Sequence, residues 1–225
     1  MKNNNNSIET KKSNAIDQFI LIKELIEKVR VIANEPIKDK IKRYQKLKFP
    51  DLNNILKFND YNEEWPVLYK KEEKRIANIS NNISNIAHIG STSIFNLESN
   101  NIIDIAVLIN NRLHLEECIK NIEKIGYQNY GNSPLGKDAV WLWRIEKNTA
   151  YVIHFDDVKN FWFDEAIIFR NYLNANPKAL LKYKNEKRKL YHLKAENMLM
   201  YSLKKLQTIK EIIKEAKSWK ESNNC

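Results

Sequence analysis

The chain has 225 residues, a formal net charge of +10 and only four glycines. A dinucleotide-binding G-x-G-x-x-G turn and a G-x-x-x-x-G-K-[ST] phosphate loop both need closely spaced glycines, and neither pattern is complete in this chain. The composition therefore excludes both of these glycine-rich nucleotide-binding sites. The length fits one domain with an appendage, since domains usually run to about 100–200 residues.

The excess positive charge is concentrated near the C-terminus. Between Lys178 and Lys220, 13 Lys and Arg residues stand against four Glu. Such an excess suggests anionic partners, either nucleic acid or phosphorylated small molecules, although a lysine-rich surface also serves solubility. The segment contains no recognised nucleic-acid-binding module, so RNA binding through it is a minor alternative.

Cysteine usage and hydropathy define the expected compartment. The two cysteines, Cys118 and Cys225, provide no disulfide framework, and no stretch reaches the ~18 apolar residues of a membrane span. The N-terminus carries no apolar leader segment. We therefore expect a reduced, cytoplasmic protein that has no membrane partner.

The first fifth of the chain is predicted to be separate from the main domain. Residues 1–13 are polar and of low complexity, which is typical of disorder. Residues 14–50 carry apolar residues at helical spacing and predict a helical N-terminal extension. This extension is either a helical hairpin packed on the main body or a segment that binds a protein partner, and the sequence does not choose between these.

Residues 51–220 predict an α/β domain with a helical C-terminal half. The almost continuously apolar stretch 102–109 is typical of a strand that is buried on both faces. The predicted elements are, in order, a helix at 63–79, strands at 86–90 and 102–109, a helix at 113–125 ended by Gly126, a hairpin of strands 139–146 and 150–156 that turns at Lys147, and helices at roughly 161–174, 177–192 and 195–219.

The isolated Gly90 is followed by three hydroxyl side chains, Ser91, Thr92 and Ser93. A helix that starts at Ser91 would direct backbone N–H groups and hydroxyls towards an anion such as a triphosphate. Gly90 would let the backbone approach the anion closely or adopt a positive φ. Plain helix capping, for which Ser and Thr are favoured, is the alternative for this segment.

Asp104 lies inside the apolar strand, where a carboxylate is costly unless it is hydrogen-bonded, paired or metal-bound. Twelve residues separate it from Ser91. This spacing resembles the nucleotidyltransferase superfamily of DNA polymerase β, whose pattern is h-G-[GS], a gap of about a dozen residues, and D-h-[DE]-h on a strand. The resemblance implies that Gly90 and Asp104 belong to one site.

Several further segments resemble the GrpB family, in the same order and over about residues 60–219. The family resemblance implies a nucleotidyltransferase-like mixed sheet flanked by helices, but it supplies no substrate. The segments that carry it are FNDYNEEWPVLYKKEEKRI, HIGSTSI, IIDIAVLI, VIHF, IIFRNYLNANPKALLKYKNEKRKL and the ending with Tyr201, Lys205 and Trp219.

Three departures from these patterns bear on catalysis. Ala106 stands where the superfamily has its second strand acid. The GrpB pattern often lacks this acid as well. The segment 98–101 lacks the lysine that the family pattern places before the strand, and Val152 replaces the first histidine of H-x-H, which leaves His154. Two-metal phosphoryl transfer needs several carboxylates, so Asp104 alone does not support it.

Two residues of the last predicted strand are substitutes for the missing ligands. His154 and Asp156 lie two residues apart and therefore on one face. Together with Asp104 they would hold one Mg²⁺, or His154 would act as a general base. The alternatives are a packed sheet histidine and, for Asp156, a turn residue at the strand end.

Arg144, Arg170 and Lys205 are the cations that we expect to contact a triphosphate or an anionic acceptor, although each residue type also forms ordinary surface ion pairs. Aromatic residues near the same segments are candidates for stacking on a nucleobase or for the core. These aromatic residues are Trp141, Trp143 and Trp162.

The resemblance implies binding of a nucleoside triphosphate at Gly90–Ser93 and transfer of a nucleotidyl or phosphoryl group with Asp104 and one Mg²⁺. The acceptor would be a small molecule, a protein hydroxyl or an RNA end. The alternative is a degenerate nucleotidyltransferase fold that binds a small anion, RNA or protein without turnover. Ala106, Asn100 and Val152 favour this alternative.

Overall fold

The computed structural model describes Ile55 and residues 57–132, 140–157, 162–196 and 198–223. The chain divides between Lys46 and Leu47 into two units, and every described residue belongs to the second unit. The predicted lead at 1–13 and the helical extension at 14–50 lie outside the described residues. No helix in the described ranges is long and apolar enough to cross a membrane.

Five strands and five α-helices make up the described part of the chain. The last three helices follow the sheet, as the sequence predicts. The elements are α1 (Glu64–Ala77), β1 (Ile83–Ile89), a short 3₁₀ helix (Ser91–Ser93), β2 (Ile102–Ile109), a second 3₁₀ helix (Arg112–His114), α2 (Leu115–Lys124), β3 (Gln128–Asn132), β4 (Val140–Glu146), β5 (Thr149–Asp157), α3 (Trp162–Ala175), α4 (Pro177–Glu196) and α5 (Met198–Asn223).

The strands form one mixed sheet in the order β1-β2-β5-β4-β3. β2 lies inside the sheet and pairs antiparallel with β1 and parallel with β5, so that Asp104 lies opposite Ile89 on one side and Val152 on the other. The β4–β5 hairpin turns at Lys147, which has a φ of 53°. The sheet therefore brings the ends of β1, β2 and β5 together.

One face of the sheet is a continuous apolar core. Alternate residues of β2 and β5, such as Ile105 and Ile153, are fully buried there against α1 and α2. Alternation is intrinsic to a pleated strand, so Asp104 and His154 necessarily project from the other face. The buried residues of this cluster are Trp65, Tyr69, Ile76, Ile103, Ile105, Val107, Ile109, Cys118, Ile122, Tyr127, Leu142, Tyr151, Ile153 and Phe155.

The other face is covered by α3 over β1 and β2. Phe163 of α3 packs on Ala87, Ile89 and Ala106. A separate apolar cluster joins Ile94 and Leu97 to the three C-terminal helices, and it holds the segment that follows the first 3₁₀ helix. The helical C-terminal half thus encloses the loop between β1 and β2.

β3 was not expected from the sequence. Its residues, QNYGN, show no apolar alternation, and Gly131 is predicted from sequence to interrupt a loop. The structure places Gly131 in β3 at a φ of +78°, where the register with β4 shifts between Asn129 and Asn132. Pairing with β4 rather than local propensity makes this segment a strand. Gly136 lies outside the described residues.

Glu72 connects α1 to the sheet through a buried carboxylate, and its side chain is only 2% exposed. It accepts hydrogen bonds from Arg75 at 2.9 Å, from Arg144 of β4 at 2.6 Å and from the Tyr127 hydroxyl at 2.8 Å. Arg75 also donates to the carbonyl of Ile125 at the end of α2. A buried carboxylate with this many donors is well compensated, so it specifies how α1 docks.

Replacing Glu72 with Gln should destabilise the protein by about 3 kcal/mol, because Arg144 then keeps its buried charge without the main compensating carboxylate. The measurement is urea unfolding followed by far-UV circular dichroism. Glu146→Gln is the matched control, because Glu146 contacts the same Arg144 at 2.7 Å but is 57% exposed. The control should lose less than about 1 kcal/mol, and equal losses would contradict this account of Glu72.

Candidate functional site

The site is organised around a close contact between Gly90 and Asp104. Gly90 follows β1 with a φ of 70° and a ψ of −169°, a conformation that side-chain-bearing residues rarely adopt. A Cβ at this position would lie 2.2 Å from Oδ2 of Asp104 and 2.9 Å from its Cβ. The glycine is therefore required both by its backbone angles and by the carboxylate that packs against it.

Asp104 forms a pair with His154 of β5. Nε2 of the imidazole lies 3.0 Å from Oδ1 of the carboxylate. His154 is in register with Ala106, so its ring reaches back along the strand direction to Asp104. The Asp104 side chain is 27% exposed and that of His154 is 18% exposed, so the pair is accessible to a reactant. The structure thus brings the two predicted catalytic residues together.

The segment Ser91–Ser93 is a single 3₁₀ turn that begins at Ser91, where the sequence places the start of a short helix. Thr92 donates its hydroxyl proton to the carbonyl of Ile102 at 2.9 Å, and Ser93 donates to the carbonyl of Gly90 at 2.7 Å. Two of the three predicted hydroxyls therefore stabilise the turn itself. The Ser91 hydroxyl is buried and has no hydrogen-bond partner among the described residues, so it alone remains for a ligand.

His88 fixes the conformation of this turn from the core side. Its Nε2 lies 3.0 Å from the Thr92 hydroxyl oxygen. Because that hydroxyl gives its only proton to Ile102, the imidazole must be the donor, and its proton sits on Nε2. The ring also stacks on Tyr69 of α1 at 4.7 Å between centroids. His88 is thus a neutral, buried histidine that orders the backbone.

The electrostatic surroundings of His88 agree with the neutral form. Burial lowers the pKa of His88 to about 4, and the positive charge of Arg170 acts in the same direction, while Asp104 and Glu73 act against it. Arg170 of α3 donates to the His88 carbonyl at 2.8 Å. The predicted phosphate-binding Arg170 therefore lies beside the turn, half-buried, with part of its guanidinium bound to the β1 backbone.

Asp156 is separated from the Asp104–His154 pair. It lies opposite Leu108 in the sheet, four positions along from Val152, which is the partner of Asp104. Its carboxylate accepts a hydrogen bond at 2.8 Å from the backbone N–H of Phe163, in the first turn of α3. The structure thus gives Asp156 a helix-capping position instead of bringing it to Asp104 as a metal ligand.

The donor set does not form a resident two-metal site. Across the described ranges, no group of three His, Cys, Asp or Glu side chains is arranged to hold a metal ion. Ala106, at the position of the superfamily's second acid, is fully buried under Phe163. One carboxylate does fit a Mg²⁺ that is shared with substrate phosphates, which is the usual way in which proteins bind this ion.

Arg144 lies apart from the pair. Arg144 is in register with Tyr151, which places it on the core face of the sheet, opposite to Asp104. It is bound there by Glu72 and Glu146, so its position contradicts the prediction that it contacts substrate. Lys205 lies on α5 and is half-buried.

Two tryptophans flank the His154 imidazole. The Trp162 ring lies 5.6 Å from the His154 ring, and the Trp141 ring lies 6.2 Å from it. Trp162 is 40% exposed, whereas Trp143 is 7% exposed and packs with Val152. The sequence proposes all three tryptophans equally, and the structure leaves Trp162 as the one with a large exposed surface.

The model of the GrpB protein family matches residues 56–215, a range that includes the whole site. The chain belongs to the GrpB family. It is 28% identical over 167 residues to the glutamate-rich protein GrpB of Alkalihalophilus pseudofirmus, covering 69% of this chain and 92% of that protein. It is 27% identical over 165 residues to the UPF0157 protein YqkA of Bacillus subtilis, covering 73% of this chain but only 48% of YqkA.

A solved GrpB structure has the same fold. The crystal structure of the conserved protein GrpB from Enterococcus faecalis matches with a TM-score of 0.63 at 28% identity, over 72% of this chain and 99% of that one. A weaker similarity, with a TM-score of 0.41 and 14% identity over 72% of this chain and 47% of the other, is to the Cid1 poly(U) polymerase. The family match and the E. faecalis structure confirm the GrpB membership and the mixed sheet flanked by helices that the sequence predicts.

Replacing Gly90 with Ala should be far more costly than the same change at Gly131. Both glycines have a positive φ, but a Cβ at Gly131 meets nothing within 4 Å. Gly131→Ala should therefore lose about 1 kcal/mol from backbone strain alone. Gly90→Ala should lose at least about 2 kcal/mol more, because Asp104 must move. Thermal unfolding of the two variants measures this, and similar losses would contradict the Gly90–Asp104 contact.

His88 should make the stability of this GrpB protein depend on pH. The unfolded chain takes up a proton near pH 6.5, whereas the folded state resists until about pH 4. Stability from this group is thus complete above pH 6.5 and falls as the pH drops to about 4, by roughly 3 kcal/mol. His88→Gln keeps a donor for Thr92 and should flatten this part of the profile. Urea unfolding from pH 7 to 4 tests it, and an unchanged slope in the variant would refute it.

Proposed function

We propose that this chain binds a nucleoside triphosphate at the Gly90–Ser93 turn and transfers a nucleotidyl or phosphoryl group, with Asp104 and His154 as its catalytic pair. The observation that supports this most directly is the Asp104 carboxylate, which packs against Gly90 and is hydrogen-bonded to a partly exposed imidazole. Through a shared Mg²⁺, a carboxylate beside a glycine turn is suited to holding the phosphates of a nucleotide.

The turn offers the phosphates one hydroxyl and a neighbouring positive charge. The Asp104 carboxylate fills the space where a side chain at Gly90 would lie, so a ligand at the turn meets that carboxylate. Ser91 is 94% buried, and its hydroxyl has no hydrogen-bond partner in the described structure. An unsatisfied buried hydroxyl is costly, so a phosphate oxygen that accepts its proton would be stabilised. Arg170 supplies positive charge beside the turn.

His154 would accept the proton of the acceptor hydroxyl. Its Nε2 is engaged with Asp104, so Nδ1 is the nitrogen that takes the proton. In nucleotidyl transfer the hydroxyl oxygen bonds to the α-phosphorus, the bond from that phosphorus to the β-phosphate oxygen breaks, and pyrophosphate leaves. Asp104 would stabilise the resulting imidazolium.

A single Mg²⁺ carried by the triphosphate would neutralise part of the phosphate charge when it is bound, with Asp104 as its one protein ligand. Without that ion, the carboxylate would repel the nucleotide. Nucleotide binding should therefore depend on Mg²⁺ and on Asp104 together.

A binding module without turnover is the second candidate. Ala106 replaces the second carboxylate and is buried beneath Phe163, which leaves no room for an additional ligand there. Such a protein would bind the nucleotide at the same turn, and it would release neither phosphate nor pyrophosphate. The two candidates differ only in chemistry, so a turnover assay separates them.

Calorimetry with ATP, GTP, CTP and UTP in the presence of Mg²⁺ tests nucleotide binding, and phosphate and pyrophosphate release tests turnover. Asp104→Asn should weaken Mg²⁺-dependent binding at least about tenfold. His154→Gln should keep binding and reduce turnover by about 100- to 10,000-fold, the usual contribution of a general base.

Asp156→Asn is the matched control for these variants. Asn caps helices as well as Asp does, so α3 should be retained, and nucleotide binding should be unchanged. If none of the four nucleotides binds, the proposed function is wrong. Binding without release of phosphate or pyrophosphate would instead support the binding module.

A further inference from the structure

A surface cleft of about 340 Å³ lies between α3 and α5. Lys210, Lys214 and Lys217 line it from α5, and their spacing places all three on one side of that helix. All three lysines are exposed. Glu165 of α3 faces them and lies 2.5 Å from Lys217. With three ammonium groups and one carboxylate on its lining, the cleft keeps a net positive charge.

The cleft begins one helical turn along α3 from Trp162, the residue whose ring lies beside His154. Trp162 and Glu165 are three residues apart on α3, so they are neighbours on its surface. The Trp162 ring contacts the His154 ring at 5.6 Å, and its indole is 40% exposed. An exposed aromatic surface thus lies between the Asp104–His154 pair and the lysine-lined cleft.

This combination fits one class of partner better than others. Single-stranded nucleic acid is bound by positively charged grooves that track the backbone and by aromatic side chains on which bases stack. An acidic peptide would use the lysines but would leave the Trp162 surface without a matching group. The three lysines span about 10 Å along α5, since a helix rises 1.5 Å per residue, which is short for a duplex-binding surface.

We infer that the cleft lined by Lys210, Lys214 and Lys217, together with Trp162, binds a single-stranded nucleic acid and directs its terminal hydroxyl to His154. This inference rests on the proposed function, for which it supplies the acceptor. The terminal oxygen of the strand forms the new bond to the nucleotide phosphorus, its proton passes to Nδ1 of His154, and pyrophosphate leaves.

Glu165 competes with the strand for Lys217. In the free protein its carboxylate pairs with that ammonium group, whereas a bound phosphate would take its place. Glu165→Gln removes a like charge from the path of the backbone and frees Lys217. It should therefore bind the strand several-fold more tightly than the unmodified protein, an effect that a merely structural ion pair would not produce.

The test uses fluorescence anisotropy of labelled 12-nucleotide RNA and DNA strands on the full chain. Three phosphate contacts predict a slope of about −2 in log affinity against log salt. The triple variant Lys210→Ala, Lys214→Ala, Lys217→Ala should lose roughly 100-fold in affinity at 0.1 M salt and most of that slope. Trp162→Ala should weaken binding by about 5- to 100-fold, as expected for lost base stacking.

The matched control removes three exposed lysines of other helices whose hydrogen-bond partners lie outside the cleft. The variant Lys70→Ala, Lys124→Ala, Lys189→Ala has the same net charge as the cleft variant, and it should retain nearly all of the affinity. Equal weakening in both triple variants would overturn the inference, because it would show binding by net charge alone.

Two further readouts separate this inference from the proposed function. The nucleotide affinity of the lysine cleft variant, measured by calorimetry with Mg²⁺, should equal that of the unmodified protein. If the unmodified protein binds nucleotide but no strand, the inference is overturned and the proposed function stands. Failure to bind any nucleotide would instead remove the proposed function. Poly-glutamate serves as a model acidic peptide. If it binds as tightly as the strand, and if Trp162→Ala leaves the affinity unchanged, the partner is an acidic peptide and the inference is overturned.

Discussion

The contact between Gly90 and the Asp104 carboxylate is the constraint on which the site depends. A carboxylate on β2 can lie against the end of β1 only if no Cβ intervenes. The positive φ of that glycine then turns the chain into the 3₁₀ turn that holds the Ser91 hydroxyl. One residue without a side chain thus allows the acid, and with it the neighbouring imidazole of His154, to lie beside the turn.

The two faces of the sheet have separate tasks. The core face is stabilised by apolar packing and by the buried Glu72 with its arginine and tyrosine donors. The other face holds the Asp104–His154 pair and receives α3. His88 belongs to the first face but orders the turn of the second through Thr92. The buried imidazole of His88 therefore connects the two faces.

The sequence predicted the strands and helices where apolar periodicity was strong, and it predicted that His154 lies near Asp104 because their strands were expected to be neighbours. The same reasoning also brought Asp156 to Asp104, whereas its carboxylate binds the start of α3. Contacts between segments that are distant along the chain could not be predicted from the sequence. From the sequence, Arg144 was predicted to contact phosphate. In the structure it donates a hydrogen bond to Glu72, which lies 72 residues away in the chain. The position of Glu72 on the apolar stripe of α1 was the one available signal. β3 lacked any such signal, because its pairing with β4 determines it.

Asp156 links the Asp104–His154 pair to the helix that carries Trp162. It follows His154 by two residues on β5, and its carboxylate accepts a hydrogen bond from the first turn of α3. The position of the exposed indole relative to the imidazole therefore depends on that hydrogen bond. In relatives, insertions or deletions between positions 156 and 162 would move the indole relative to the imidazole. The surroundings of the pair would then vary with the length of one connection, while the residues of the two strands stay unaltered.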